Sequence, residues 1–75
     1  MNEERSIYEL LNNRGERVGT AYVEHGGPLS RWGWFAYLKG DTASNACLET
    51  SQQAFEQLED TMKRYGLSVR PERVD

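Results

Sequence analysis

Only one stretch of this chain carries helical periodicity, and nearly everything before it reads as strand. Ala54, Phe55, Leu58, Met62 and Tyr65 recur at spacings of three and four, which gathers them into one apolar stripe of a helix. Thr50 stands three residues before Gln53, the pattern of a capping box with Thr50 as N-cap. Lys63 and Arg64 fall in the last turn, where positive charge complements exposed carbonyls. Gly66 is the expected left-handed terminator, with Leu67 placed to fold back on Met62. One helix covers only one face of a sheet, so a second face is left to water or to a partner.

Three strands are expected ahead of the helix. Ile7 to Asn12 is the first, followed by Asn12-Asn13-Arg14-Gly15, residues suited to a tight hairpin turn. Glu16 to Glu24, rich in Val, Thr and Tyr, is the second; Gly19 weakens it or admits a bulky neighbour. His25-Gly26-Gly27-Pro28 ends it, and Pro28-Leu29 is expected at an exposed loop tip. Trp32 to Leu38 is the third strand. Lys39 to Asn45 reads as a polar loop, Ala46 to Glu49 as a short extended piece, and Leu67 to Arg70 as a candidate fourth strand. The fold class is therefore α+β: a three-stranded antiparallel sheet, four-stranded if that last segment joins, on one C-terminal helix in the order β-β-β-α. Residues 1–75 form a single domain, with 1–5 and 71–75 expected as loose termini.

Alternation along the strands assigns two faces. Tyr8, Leu10, Ala21, Val23, Trp34, Ala36 and Leu38 are expected against Phe55, Leu58 and Met62. Ile7, Leu11, Thr20, Tyr22, Phe35 and Tyr37 then face the other way, a set too apolar for a purely solvated surface; a one-residue shift of register in any strand would exchange the two sets.

Composition sets the remaining bounds. At 37% hydrophobic and 28% charged residues the chain has a globular balance rather than a disordered one. The apolar run from Trp34 to Leu38 is far too short to cross a bilayer. Met1 to Arg5 has no apolar core of a secretory signal, and the lone Cys47 has no intramolecular disulfide partner. A cytoplasmic protein without membrane association is expected. The net charge of −3 is unevenly spread: residues 1–40 balance five bases against five acids, whereas Asp41 to Asp60 holds five acids and no base. Joined into one patch, Asp41, Glu49, Glu56, Glu59 and Asp60 would imitate nucleic-acid phosphates toward a basic groove. Read plainly, the helical acids form a solvated face with Glu59–Lys63 and Asp60–Arg64 pairs.

No phosphate-binding loop, dinucleotide fingerprint, nucleophile elbow or paired CxxC occurs, so neither enzyme nor cofactor is expected. His25 reads as an exposed loop histidine, and Cys47, between Ala46 and Leu48, as a small buried apolar group. Trp32 reads as a seal at the sheet edge.

Two resemblances follow from the order of these segments. Arg31-Trp32-Gly33-Trp34-Phe35-Ala36, then Leu48-Glu49-Thr50 and a helix with Ala54 and Phe55, resembles sheet-reading DNA-binding domains of the plant ethylene-response type and of phage-integrase arm-binding type. That likeness implies a three-stranded sheet entering a major groove on several arginines, but Gly33, Ala36 and Thr20 occupy the positions between the aromatics here. In size, acidity and β-β-β-α order the chain is also similar to small phage and mobile-element proteins, including anti-CRISPR inhibitors. That second resemblance implies stoichiometric binding that blocks a host nuclease complex. The expected function is a protein-binding module with Tyr22, Phe35, Tyr37 and Trp32 as contact residues and Glu56, Glu59 and Asp60 steering the encounter. The alternatives are a nucleic-acid-binding module using Arg14, Arg17, Arg31 and the tryptophans, and a homodimer pairing its sheets.

Overall fold

The first hairpin is closed by side-chain chemistry that the Asn-rich turn supplies. Asn12 Oδ1 accepts from the amides of Arg14 and Glu16, each at 2.9 Å, and Gly15 takes the left-handed conformation at φ 79°. The computed structural model describes residues 5–26 and 31–72. Within them the elements are β1 (Arg5–Leu11), β2 (Arg17–Gly26), β3 (Arg31–Leu38), β4 (Asp41–Leu48), α1 (Ser51–Arg64) and β5 (Ser68–Pro71). All five strands join one antiparallel sheet in the order β4-β3-β2-β1-β5.

The α+β class and the single covering helix stand, with two strands more than the minimal expectation. Leu67 to Arg70 does supply a strand, β5 at Ser68–Pro71, beside β1. Lys39 to Asn45 is not a loop. Lys39 and Gly40, the latter at φ 79°, make a two-residue turn, and Asp41 pairs straight back on Leu38. Arg5, Pro71 and Glu72, expected in loose termini, belong to the sheet region; the Glu72 amide donates to the Ile7 carbonyl at 3.0 Å. Pro28 and Leu29 lie outside the described residues.

Both helix ends are built as their residues require. Thr50 Oγ1 accepts from the Gln53 amide at 3.0 Å, and Gln53 Oε1 reaches back to the amides of Thr50 and Glu49. At the other end Gly66 donates to the Lys63 carbonyl and Leu67 to that of Met62, the double closure of a Schellman motif.

The core lies between α1 and one face of the sheet. Leu10, Ala21, Val23, Trp34 and Ala36 are buried against Ala54, Leu58 and Met62, with Tyr8, Leu38 and Phe55 partly buried around them. The expected face assignment thus holds on β1, β2 and β3. Gly19 makes a close approach possible: it lies between Leu10 and Leu38, and a Cβ there would run into the Tyr37 carbonyl oxygen. Leu11 also stays off the helix-covered cluster, as assigned, but is buried rather than open. The register shifts between Leu10 and Leu11, and Leu11 is only 7% exposed, outside the cluster beneath the helix.

Candidate protein-binding face

The sheet face turned away from α1 is built by register alone. Across its middle, Ser44, Phe35, Tyr22 and Ile7 stand opposite one another on β4, β3, β2 and β1. The next row runs Thr42, Tyr37, Thr20, Glu9 and Arg70, ending on β5. Tyr37 is 48% exposed, Ile7 is exposed, and Tyr22 and Phe35 are half-buried. The Tyr22 and Tyr37 rings meet edge to face with centroids 5.8 Å apart, and the Arg5 guanidinium sits 5.1 Å over the Tyr22 ring. Arg5, Tyr22, Glu24 and Tyr37 line a shallow depression of about 400 Å³.

Charge frames the aromatic centre in matched pairs. Arg5 meets Glu24 at 3.3 Å, Arg17 meets Glu72 at 2.6 Å, and Arg70 meets Glu9 at 3.2 Å. Arg17 also donates to Thr20 Oγ1 at 2.8 Å. Three arginines are therefore present on this face, contrary to what the residues between the aromatics implied, but each is answered by a glutamate. The face is neutral in sum, an aromatic patch with a polar frame.

The other expected contact residues lie elsewhere. Trp32 stands opposite His25 on the helix side of the sheet, packs on the core, and meets the His25 ring in a tilted contact with centroids 4.8 Å apart. His25 is accordingly a half-buried strand residue and not an exposed loop histidine, because β2 continues to Gly26. Glu56, Glu59 and Asp60 ride on α1, across the sheet from Tyr22, Phe35 and Tyr37. Anchor and steering charges do not share one surface. Glu56 and Asp60 do line a common groove with Leu48, Gln53 and Gln57, from which Glu59 is absent. Asp60 pairs with Arg64 at 3.3 Å; Glu59 and Lys63 make no ion pair among the described residues.

The nucleic-acid set is likewise dispersed. Arg14 lies in the β1–β2 turn, Arg31 near Glu49 at the opposite end of the sheet, and Trp34 is buried with its Nε1 donating to Gln57 at 3.3 Å. Cys47 is exposed, not buried, in left-handed backbone at φ 69° where β4 bulges opposite Gly33. Asp41 accepts from the Tyr65 hydroxyl at 3.3 Å, and its negative charge holds that phenol above its ordinary value near 10.0. Among the described residues no helix is long and apolar enough to cross a membrane, and no group of His, Cys, Asp and Glu is placed to hold a metal ion. Comparison of the chain with protein-family models, curated proteins and solved structures finds no match.

Proposed function

We propose that the chain is a non-catalytic protein-binding module that acts by covering part of a partner protein with its open sheet face. One observation carries this reading: Tyr22, Phe35 and Tyr37 stand together with Ile7 on the face that α1 leaves uncovered. Aromatic side chains bury large area at low entropic cost, and aromatic centres with charged frames are where binding energy concentrates. The pairing of Arg5, Arg17 and Arg70 with glutamates supports a protein over a polyanion, since phosphates would have to compete with three carboxylates already in place. Stoichiometric occlusion of a nuclease complex, the action implied by the phage-protein resemblance, is the concrete form of this proposal.

Affinity capture with the wild-type chain and with Phe35→Ala and Tyr37→Ala tests it. Each truncation is expected to weaken binding of the captured partner by roughly tenfold or more while leaving the circular dichroism spectrum unchanged. Retention of the same partner at wild-type strength by both variants would remove the sheet-face reading. Salt-sensitive DNA or RNA binding at near-physiological ionic strength, lost in the same variants, would replace it with the nucleic-acid one.

A further inference from the structure

The second surface is the free edge of β4, whose Thr42 and Ser44 also end the rows of the open face. Among the described residues β4 pairs with β3 alone, so one side of its backbone ends the sheet. The opposite edge is blunted: β5 has four residues and ends at Pro71, which has no amide to offer. β4 is eight residues long, and Thr42, Ala43, Ser44 and Asn45 present small side chains with no Lys or Pro to deter a neighbour. Its bulge confines regular edge to Asp41–Asn45. In antiparallel pairing alternate residues turn their N–H and C=O outward. The Thr42 amide does so: its acceptor is the Asp41 carboxylate, at 2.9 Å, where a neighbouring strand would present a carbonyl.

Alongside this edge α1 runs antiparallel to β4. Contacts fix that direction: Tyr65 to Asp41 at 3.3 Å, Gln57 to Asn45 at 2.6 Å, and Gln53 to the Glu49 amide at 3.0 Å. Beyond the bulge, Leu48 and the helix flank of Gln53, Glu56, Gln57 and Asp60 line a groove of about 500 Å³, and the Gln57–Asn45 bond brings that flank to the end of the regular edge. We propose that this groove accepts an extended basic segment of a partner protein, added to the sheet as a strand antiparallel to β4. Its backbone would meet Thr42 and Ser44, and its alternate cationic side chains would face Glu56 and Asp60. A second copy fits less well. Antiparallel pairing of two β4 strands keeps both helices on one side of the joined sheet and opposes Glu56 and Asp60 to their own duplicates.

The probe is an alternating Lys-Val peptide, capped at both ends, titrated into the isotopically labelled chain. Expected are amide shifts and slowed hydrogen exchange at Thr42 and Ser44, with affinity reduced about tenfold by Glu56→Lys, an exposed change that leaves the fold intact. An alternating Glu-Val peptide, and a Lys-Val peptide N-methylated at alternate residues, are expected not to bind. Equal binding of the N-methylated peptide would overturn strand addition. So would shifts confined to Tyr22, Phe35 and Tyr37. A peptide-free chain that dimerises with Thr42 and Ser44 already protected would overturn the choice of occupant.

Discussion

Replacing Gly19 with alanine offers the sharpest check on the packing described here, because sequence and structure give it opposite signs. A glycine inside a strand normally weakens it, and alanine at an unhindered site gains about 0.4–1 kcal/mol by restricting the unfolded chain. At Gly19 the new methyl would collide with the Tyr37 carbonyl oxygen, lie 2.9 Å from Leu38 Cδ2, and lie 3.2 Å from Leu10 Cδ1. Leu38 is only partly buried and can swing aside. Leu10 is fully buried, and the Tyr37 carbonyl belongs to the neighbouring strand, so neither retreats cheaply. Overpacking costs about 1–3 kcal/mol, and with backbone as the nearest obstacle about 2–3 applies here, so that even against a gain of about 1 kcal/mol a net loss of about 1–2 kcal/mol remains. A chain of this size has roughly 4–11 kcal/mol in all, at about 0.05–0.15 kcal/mol per residue. The melting temperature, followed by circular dichroism, should fall by roughly 4–16 °C. The urea midpoint should fall with an unchanged slope, since the surface exposed on unfolding is the same. A Gly19→Ala variant as stable as the parent, or more so, would refute the close β2–β3 approach on which the core depends.

Two further outcomes are expected. Thr50→Ala removes the acceptor of the Gln53 amide and should cost about 1 kcal/mol in urea unfolding, whereas Thr50→Ser should restore most of it. The Tyr65 phenol, followed by carbon-13 resonances of its ring, should titrate above its ordinary value near 10.0 and drop toward that value in Asp41→Asn. Because folding raises this pKa, the associated stability is fully present below the unfolded value near 10.0 and is lost as pH climbs through the folded one.

Much of the architecture was legible because its signals are local. The capping box at Thr50 and Gln53, the stripe from Ala54 to Met62 and the glycine stop at Gly66 each specify a helix end or face within a few residues. Alternation in β3 separated Trp34 and Ala36 from Phe35 and Tyr37, and the structure keeps that division. β4 escaped because an edge strand has one neighbour and little to bury: Thr42, Ser44 and Asn45 carry no alternating apolar pattern. The Lys39-Gly40 turn was the available clue. His25 was misplaced for a related reason, since where β2 stops depends on the strand opposite.

The candidate surfaces divide along the same line. Sequence alone determined that one helix would leave a sheet face bare, and that Phe35 and Tyr37 share a side of their strand opposite to Trp34 and Ala36, because side-chain direction alternates along each strand whatever its neighbours. That α1 covers the Trp34 side and leaves Tyr22, Phe35 and Tyr37 open was decided by the assembled fold. Which charges surround that face was decided only by the assembled sheet. Arg17 meets Glu72 across 55 residues of chain, and Arg70 meets Glu9 across 61. Such pairs depend on β5 returning beside β1, a long-range contact with no local signature. A separate long-range packing, α1 against β4 through Gln57 and Asn45, set Glu56 and Asp60 on the helix side and away from the aromatic face they had been expected to serve.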